Sequence, residues 1–557
     1  MQSNRWFPVV CLFVLIPVLL TPLAYAQNVI SLPLDHWLTP VLERWAIAGY
    51  APNLSLTVQP YTRWEAALAV HNLIKTTTER GVKLSPGDLA FHDLASRELR
   101  DELRILKNSE DDNAGFLGSI VKKAKDYLGL SEVVNARSMR LRIEPEFSLR
   151  DVSSSDETSL RMKSIFAIET TPLPTVGLSM GLGKHVDYYR KESKWKEGGT
   201  RLQDTYVRFG VSNASVTFGA EERRWGVPGS NRLLMNGNDV AIPAFVINAQ
   251  SSRLRIQMMW GQLEDFEYFD YYSDDYRQLK RSIIIKRFEY RSDNEWGIGV
   301  TNATIVLHNQ GLDWQYWLPI PTILTTTNSN PNRYRANEIG VVDGWLRVSP
   351  RTLLTGELLF NQWSDFELQD FEILYDKSKN SFKDNYGVRV GCTSIEPFSM
   401  SGMTYRLQYT DIGPKTYSTF IDHNLITSNL QNSSGTMYRY RTTPIGHPYW
   451  NGFSNYEVEI EYVTKRAETV SVHCGYLRND TPAMNRYIDM GDTSLGYTLL
   501  HRTNIGLKVQ LIPNENSQIS LFADTYHADN GSGSSGNLDW NEFGLSAKFN
   551  FHTLLKR

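Results

Sequence analysis

Two hydrophobic periods divide the chain near residue 139. Before this point apolar residues recur every three or four positions, which is the spacing of one helix face. After it apolar and polar residues alternate, as in Met139–Arg150, where Met, Leu, Ile and Phe alternate with Arg, Glu and Ser. Alternation with a period of two predicts strands with one apolar and one charged face. The pattern therefore predicts a helical N-terminal part followed by a long β part.

Three helices are predicted between residues 31 and 107. The first covers 35–48, with Gly49 placed as its C-terminal stop. The second begins where Thr62 and Glu65 have the spacing of a capping box. The third, from about 93 to 107, is rich in Leu and charged residues.

Residues 108–114 form a polar, acidic stretch that we interpret as a linker. Residues 116–128 then carry an apolar stripe beginning at Phe116, with Lys122, Lys123 and Lys125 on much of the other side. This predicts an amphipathic helix. Two interpretations stay open for it: packing against its own protein, or lying on a membrane surface.

The first 26 residues have the features of a secretory signal peptide. Arg5 precedes an apolar run that two prolines interrupt, and Ala24 and Ala26 match the cleavage rule, so the mature chain is expected to begin at Gln27. No later stretch of about 18 apolar residues could form a spanning helix. Only helices and closed barrels satisfy all backbone polar groups in lipid, so a membrane role would have to come from strands.

Three features of residues 139–551 favour a transmembrane antiparallel β-barrel over a soluble sandwich. Many alternating tracts begin or end in Tyr, Trp or Phe, as aromatic girdles do. No domain boundary interrupts them, and the tract Phe543–Phe551 lies at the C-terminal end, followed by six residues interpreted as a tail. At roughly 23 residues per strand and connection, this length gives about 18 strands. The expected division is a signal peptide at 1–26, a helical periplasmic segment at 27–130 and an outer-membrane barrel at 131–557.

Charge and cysteine content narrow the function classes further. Losing Arg5 with the signal peptide changes the formal charge from −3 to −4, and a chain without basic excess does not suggest a nucleic-acid partner. The mature chain keeps two cysteines, Cys392 and Cys474, so it is no disulfide scaffold. Both lie on the apolar phase of alternating tracts. Apolar packing is the simpler interpretation, and a bridge between them stays open.

Two short segments carry a resemblance to a known family. The first runs from Gly219 through Arg223-Arg224-Trp225-Gly226-Val227-Pro228-Gly229 to Asn236 and Pro243. The second is Thr443-Pro444-Ile445-Gly446-His447-Pro448. Together with Arg44-Trp45 and Pro60-Tyr61-Thr62-Arg63, they resemble the Wzi-type capsule assembly family.

The resemblance implies an outer-membrane barrel with a helical part on the periplasmic side. It further implies a lectin that holds capsular or extracellular polysaccharide on the cell surface. The chain would reach the outer membrane after secretion. Its other expected partners are outer-membrane lipid and the barrel-insertion machinery. No cofactor is expected.

The residues of the first segment have alternative interpretations. Gly226, Pro228 and Gly229 supply turn geometry, which favours a structural role. Trp225 either stacks on a sugar ring or fills space beside the turn. Arg223 and Arg224 either bind uronate carboxylates, which match a guanidinium fork, or form charge pairs in the lumen.

The sequence contains no recognisable motif of a catalytic or metal site. The histidines have no ligand spacing, and no Gly-x-Ser-x-Gly or Walker-type glycine loop occurs, so neither a metal site nor an enzyme is expected. Three hypotheses remain: a polysaccharide-binding lectin, a porin or substrate channel, and an outer-membrane hydrolase whose residues come from separate strands.

Overall fold

The computed structural model describes residues 30–111 and 138–554 with gaps. The gaps are residues 53, 80, 82, 153–156, 174–175, 190–193, 212–213, 252, 271–274, 293–294, 309–315, 317–335, 362–385, 414–415, 418–438, 441–442, 448–451, 480–500 and 530–537. The expected signal peptide at 1–26 and the expected helix at 116–128 lie outside the described residues.

In the part of the chain that the structure describes, four helices precede the β part, and all but one of the strands follow them. The helices are α1 (Leu38–Ile47), α2 (Arg63–Glu79), α3 (Pro86–Glu98) and α4 (Arg100–Asp111). The strands are β1 (Val58–Gln59), β2 (Ser138–Val152), β3 (Glu157–Leu173), β4 (Val176–Tyr189), β5 (Lys194–Leu202), β6 (Thr205–Val211), β7 (Ala214–Trp225), β8 (Met235–Gln250), β9 (Leu254–Gln262), β10 (Phe266–Asp270), β11 (Asp275–Ser292), β12 (Trp296–His308), β13 (Ala336–Ser349), β14 (Thr352–Asn361), β15 (Tyr386–Ile395), β16 (Met403–Ile412), β17 (Arg439–Tyr440), β18 (Thr443–Pro444), β19 (Phe453–Val463), β20 (Thr469–Asn479), β21 (His501–Asn514), β22 (Ser517–Asp529) and β23 (Leu538–Leu554).

The strands close into an antiparallel barrel of 18 strand positions, as the sequence predicts. Each long strand pairs with the next one along the chain, and β23 pairs with β2, for example Phe549 with Ile143. Strands β5 and β6 both pair with β4 and together occupy one position, whereas β10 extends the hairpin to β11. Closure leaves no free edge, which is the condition for a sheet in lipid.

Alternation places apolar side chains outside and charged ones inside. Outward positions such as Met180 and Ile505 are 57% and 61% exposed, as a lipid-facing surface would be in the absence of lipid. Inward positions such as Arg142 and Asp343 are buried. The alternation with a period of two therefore gives the barrel wall an apolar outer face and a charged inner face.

One part of the outer wall is covered by protein instead. Ile284, Trp260 and Met258 lie on the outward phase of β11 and β9, yet they are buried together with Tyr316 of the β12–β13 connection. The Trp260 indole donates a hydrogen bond to the carbonyl oxygen of Tyr316 at 2.8 Å. The outer face of these strands is therefore not uniformly available to lipid.

The two cysteines lie on the outward face of the wall. Cys392 pairs across strands with Leu354 and Leu407, and Cys474 with Val458 and Ile505. Both are free, and strands β16 and β19 separate them. The structure thus supports apolar placement and contains no bridge between them.

The C-terminal strand is longer than the alternation predicts. Residues 552–554, which the sequence assigns to a tail, continue β23 and pair with Ser138–Arg140. Backbone hydrogen bonding to β2 extends the strand because pairing does not depend on the apolar pattern of the side chains.

Helix α1 ends and helix α2 begins as predicted, whereas α1 starts at Leu38, three residues after the predicted start at 35. Gly49 has φ 74° after α1, and the amide of Tyr50 returns to the Trp45 carbonyl at 2.8 Å. At the start of α2 the Thr62 amide donates to the Glu65 carboxylate at 2.8 Å, and the Glu65 amide donates to the Thr62 hydroxyl at 3.1 Å. These two bonds form the predicted capping box.

The predicted bounds of the third helix, about 93 to 107, are wrong. Two helices, α3 and α4, cover this part, with Leu99 between them and Ser85 capping the Asp88 amide at 3.0 Å. Helix α4 also continues through Asp111, so 108–111 of the predicted linker are helical. None of these four residues is Gly or Pro, so nothing in the local sequence stops the helix.

The helices pack against the barrel end that carries the short β13–β14, β15–β16, β19–β20 and β21–β22 turns. Their apolar core includes Leu353, Ile395, Val463 and Ile512 from the barrel wall near these turns. The carbonyls at the end of α1 accept hydrogen bonds from Arg347, that of Ala46 at 3.0 Å. In the described residues no helix is long and apolar enough to cross a membrane.

A buried charge cluster ties α2 to α4 and to the barrel. Arg63 lies 2.8 Å from Glu102 and 2.6 Å from Glu98, while Arg140 of β2 lies 3.4 Å from Glu102. Burial alone would raise the pKa of Glu102, but the Arg63 and Arg140 guanidiniums lower it to about 2. This carboxylate therefore stays charged at any ordinary pH.

We expect the purified protein to migrate faster on gels when it is not boiled. A closed barrel has no edge from which detergent could unfold it, so the folded form stays compact until heated. Equal migration before and after boiling, with recovery in the soluble fraction, would contradict a membrane barrel.

Leu545→Arg should lower the amount of barrel in the outer membrane. Leu545 faces outward on β23, and a charge near the bilayer midplane costs about 2 to 4 kcal/mol. The measurement is immunoblotting of separated membranes, with Leu545→Met as the matched control. Equal levels of the two variants would show that this face does not meet lipid.

Candidate functional site

A chain segment crosses the lumen between β7 and β8. We call residues 226–234 the crossing segment; it follows Trp225, whose backbone pairs with Val58 of β1. Its contacts reach β14, β15, β16 and β19. Strand β7 is fifth among the 18 positions and these strands are eleventh to fourteenth, so the segment spans the barrel interior.

Glu357 and Arg389 anchor the crossing segment on the far wall. The Glu357 carboxylate accepts hydrogen bonds from the amides of Val227 at 2.9 Å and Leu233 at 3.0 Å. Arg389 lies 3.2 Å from this carboxylate and donates to the Pro228 carbonyl at 2.8 Å. Both side chains are almost completely buried. The pair thus satisfies backbone groups that would otherwise be costly in the interior.

The two glycines of the segment allow this close approach. Gly226 and Gly229 have φ of 122° and 121°, a region that only glycine adopts readily. A Cβ at Gly226 would collide with the Glu357 carboxylate, and one at Gly229 would collide with the Arg389 guanidinium. This geometry accounts for Gly-x-x-Gly in the predicted turn.

The segment 443–448 contacts the segment 219–243, the other one that carries the family resemblance. The Asn236 amide donates to the Ile445 carbonyl at 3.1 Å. The Tyr417 hydroxyl donates to the Leu233 carbonyl at 2.5 Å and accepts from the His447 amide at 3.3 Å. Two segments that lie about two hundred residues apart therefore form one unit inside the barrel.

Trp225, Arg223 and Arg224 all contact other parts of the protein. Trp225 is 1% exposed and packs in an apolar cluster with Leu233, so its indole is covered by protein. Arg223 lies 3.0 Å from Glu221, a lumen charge pair, and Arg224 donates to the Asn236 carbonyl at 3.1 Å.

Asn236, Gly446 and His447 also lie beside the crossing segment, whereas Pro243 pairs with Ala220 of β7. The Asn236 side chain accepts from the Arg232 amide at 2.9 Å. Gly446 lies so close to the Leu233 carbonyl and the Tyr417 ring that a Cβ would not fit. His447 is buried with its ring 4.6 Å from that of Phe453, and Pro243 is exposed in β8.

Sequence reasoning missed the residues that hold the crossing segment. Glu357 and Arg389, with Tyr417 and Glu457, make most of the anchoring contacts; Glu457 accepts from Ser230 and Asn231, both at 2.6 Å. In sequence Glu357 and Arg389 are ordinary polar members of alternating tracts. Only the position of their strands opposite β7 distinguishes them.

An apolar layer fills the same half of the lumen. It includes Leu233 and Tyr417 with inward-facing side chains of neighbouring strands, namely Met259, Ile283, Ile285, Ile305, Ile339, Val341 and Leu359. Below it toward the short turns lies a charged layer in which Arg287 binds Asp343 at 2.8 Å. The described residues contain no group of His, Cys, Asp or Glu that could hold a metal ion.

A solved structure shares this fold along nearly the whole chain. It is the Escherichia coli outer-membrane protein Wzi, described as involved in group 1 capsule assembly and as a carbohydrate-binding β-barrel. The TM-score is 0.55 at 11% identity, with 94% of this chain and 99% of that chain covered. No protein-family model and no curated protein sequence matches the chain.

Further solved structures give weaker matches. OccK11 (OpdR) and OprD of Pseudomonas aeruginosa both have TM-scores of 0.42, at 10% and 11% identity. They cover 74% and 75% of this chain and 96% and 94% of their own. The comparisons therefore establish the fold of an outer-membrane β-barrel and leave the activity to be argued from the site.

Proposed function

We propose that this protein is an outer-membrane, lectin-like barrel that binds capsular or extracellular polysaccharide and retains it on the cell surface. The observation that carries the proposal is the obstruction of the lumen by the protein's own chain. Helices pack against one end, and the crossing segment and its apolar layer fill the part of the interior beside β8–β16. A general porin needs an open lumen.

The likeness to Wzi supports the same function. That protein is a carbohydrate-binding barrel, and its alignment covers 94% of this chain. Its family is also the one that the two sequence segments resemble. In this proposal a signal peptide at 1–26 directs export, the barrel-insertion machinery places 131–557 in lipid, and the helical part within 27–130 faces the periplasm. The long connections then face the cell surface.

Binding of a long polymer does not require a strong single site. A polymer that meets many barrels on one cell gains avidity through effective concentration. Arg224, which is only half-buried, stays the candidate of the predicted set for a contact with acidic sugars. Arg223 and Trp225 are buried, so their role in this proposal is to support the crossing segment.

Deleting the gene should move polymer from the cell surface into the medium while the total amount of polymer stays level. Retention acts after synthesis and export, so neither should change. The measurement is polysaccharide in washed cells and in culture supernatant, with the gene restored on a plasmid as the control. A deletion strain that keeps its polymer bound but loses uptake of a small solute would indicate a channel.

The wild-type barrel should show no steady ohmic current in planar bilayers, whereas Glu357→Ala should conduct intermittently. Without this carboxylate two buried amides lose their acceptor and Arg389 loses its counter-charge, a change that costs about 3 to 5 kcal/mol for a buried pair.

The matched control for this measurement is Glu459→Ala. Glu459 pairs with Arg406 at 2.9 Å on the inner wall, and among the described residues no hydrogen bond or ion pair joins it to the crossing segment. Steady current through the wild-type protein would contradict the obstructed lumen, and equal currents in both variants would remove the crossing segment as its cause.

A further inference from the structure

Part of the inner wall formed by β19–β23 is accessible to solvent, unlike the opposite half of the lumen. Ile285, Asp343 and Leu359 on the filled half are buried. On the other half the side chains of His473 and Glu459 are 36% and 34% exposed. We call this space the inner cleft and define it by six inward-facing residues, Glu459, His473, Asn504, Lys508, Phe522 and Asp524.

The cleft ends at the helices. A cavity of about 170 Å³ lies between Glu459 and Lys508 on the wall and Trp37 and Arg44 on the helical side. This is several times the volume that one water molecule occupies. Because helix α1 lies across this end, an extended ligand would enter from the end with the long connections.

An aromatic ring lies on the wall of the cleft at a glycine. Phe522 of β22 pairs with Gly544 of β23, and a Cβ at Gly544 would collide with the Phe522 ring. The ring therefore occupies the space beside a side-chain-free position and stays partly exposed toward the lumen. Glycine in a strand interior marks such a close approach.

Polar side chains at other inward positions of this wall also lie over glycines. His473 Nε2 lies 2.8 Å from Asp524 Oδ1, and both groups occupy the space in front of Gly506. The Asn504 amide likewise occupies the space in front of Gly475. The wall thus presents carboxylate, imidazole and amide groups on inward positions near an apolar ring.

We propose that the inner cleft binds a saccharide unit of the retained polymer, with Phe522 as the stacking surface and Asp524 and Asn504 as hydrogen-bond partners of its hydroxyls. A pyranose ring has an apolar C–H face and a polar rim, which match an aromatic ring flanked by polar groups. Charges of both signs line the cleft, so it suits a polar sugar rather than a strongly charged ion. This inference rests on the proposed function.

The test uses the full-length barrel in detergent and short oligosaccharides made by partial hydrolysis of the bacterium's own surface polysaccharide. Phe522→Ala should weaken binding about three- to tenfold, the usual loss for an aromatic contact, while Phe522→Tyr should bind like the wild type. Phe543→Ala is the matched control because Phe543 lies on the outward face of β23. Heat-modifiable migration reports folding of every variant.

A second variant set keeps the test decisive if Phe522→Ala does not fold. Asp524→Asn keeps the side-chain shape and should also weaken binding. Asn504→Cys, made with Cys392→Ser and Cys474→Ser, should react with a water-soluble maleimide, and the oligosaccharides should slow that reaction.

The outcomes separate this inference from the proposed function. If the wild type binds the oligosaccharides but folded Phe522→Ala and Asp524→Asn bind equally well, the inner cleft is not the site and the lectin function stands. Labelling of Asn504→Cys that the oligosaccharides do not slow would overturn the inference in the same way. If the wild type binds neither oligosaccharide nor intact polymer, the proposed function fails and the inference fails with it.

Discussion

Backbone hydrogen bonding in lipid is the constraint on which this structure depends. Each strand must pair on both sides because the hydrocarbon layer offers no water as a substitute partner. The pairing of β2 with β23 meets that condition by joining the two ends of the sheet. Once the sheet is closed, alternation assigns every residue to lipid or lumen, and a shift of one residue would reverse the assignment.

Closure at 18 strands creates a second problem, because a barrel of this size encloses an interior wide enough for an aqueous channel. This chain occupies much of that interior itself. Helices contribute an apolar core at one end, and the crossing segment brings its backbone against Glu357 and Arg389 on the far wall. Burying that backbone is tolerable because each contact with the carboxylate or the guanidinium satisfies a polar group that water can no longer reach.

The filling is uneven, and this asymmetry connects the structure to its proposed function. The half formed by β7 to β16 is packed with apolar and paired charged residues, so it provides rigidity. The half formed by β19 to β23 keeps accessible polar groups and one aromatic ring on a wall with glycines at Gly506 and Gly544. A rigid filled half beside an accessible wall gives a cleft closed at one end, which suits retention of a ligand better than its passage.

The sequence by itself determined the features that depend on local pattern. The change from a helical period to a period of two predicted helices before strands, the Thr62–Glu65 spacing predicted a capping box, and strand length predicted about 18 strands. It did not predict the break at Leu99 or the continuation of β23, because neither depends on a side-chain pattern. Gly226 and Gly229 were recognisable as turn residues, but their partners Glu357 and Arg389 were not. Those two residues differ from other charged residues only because closure of the barrel places their strands opposite β7, and long-range pairing of that kind leaves no local signal in the chain.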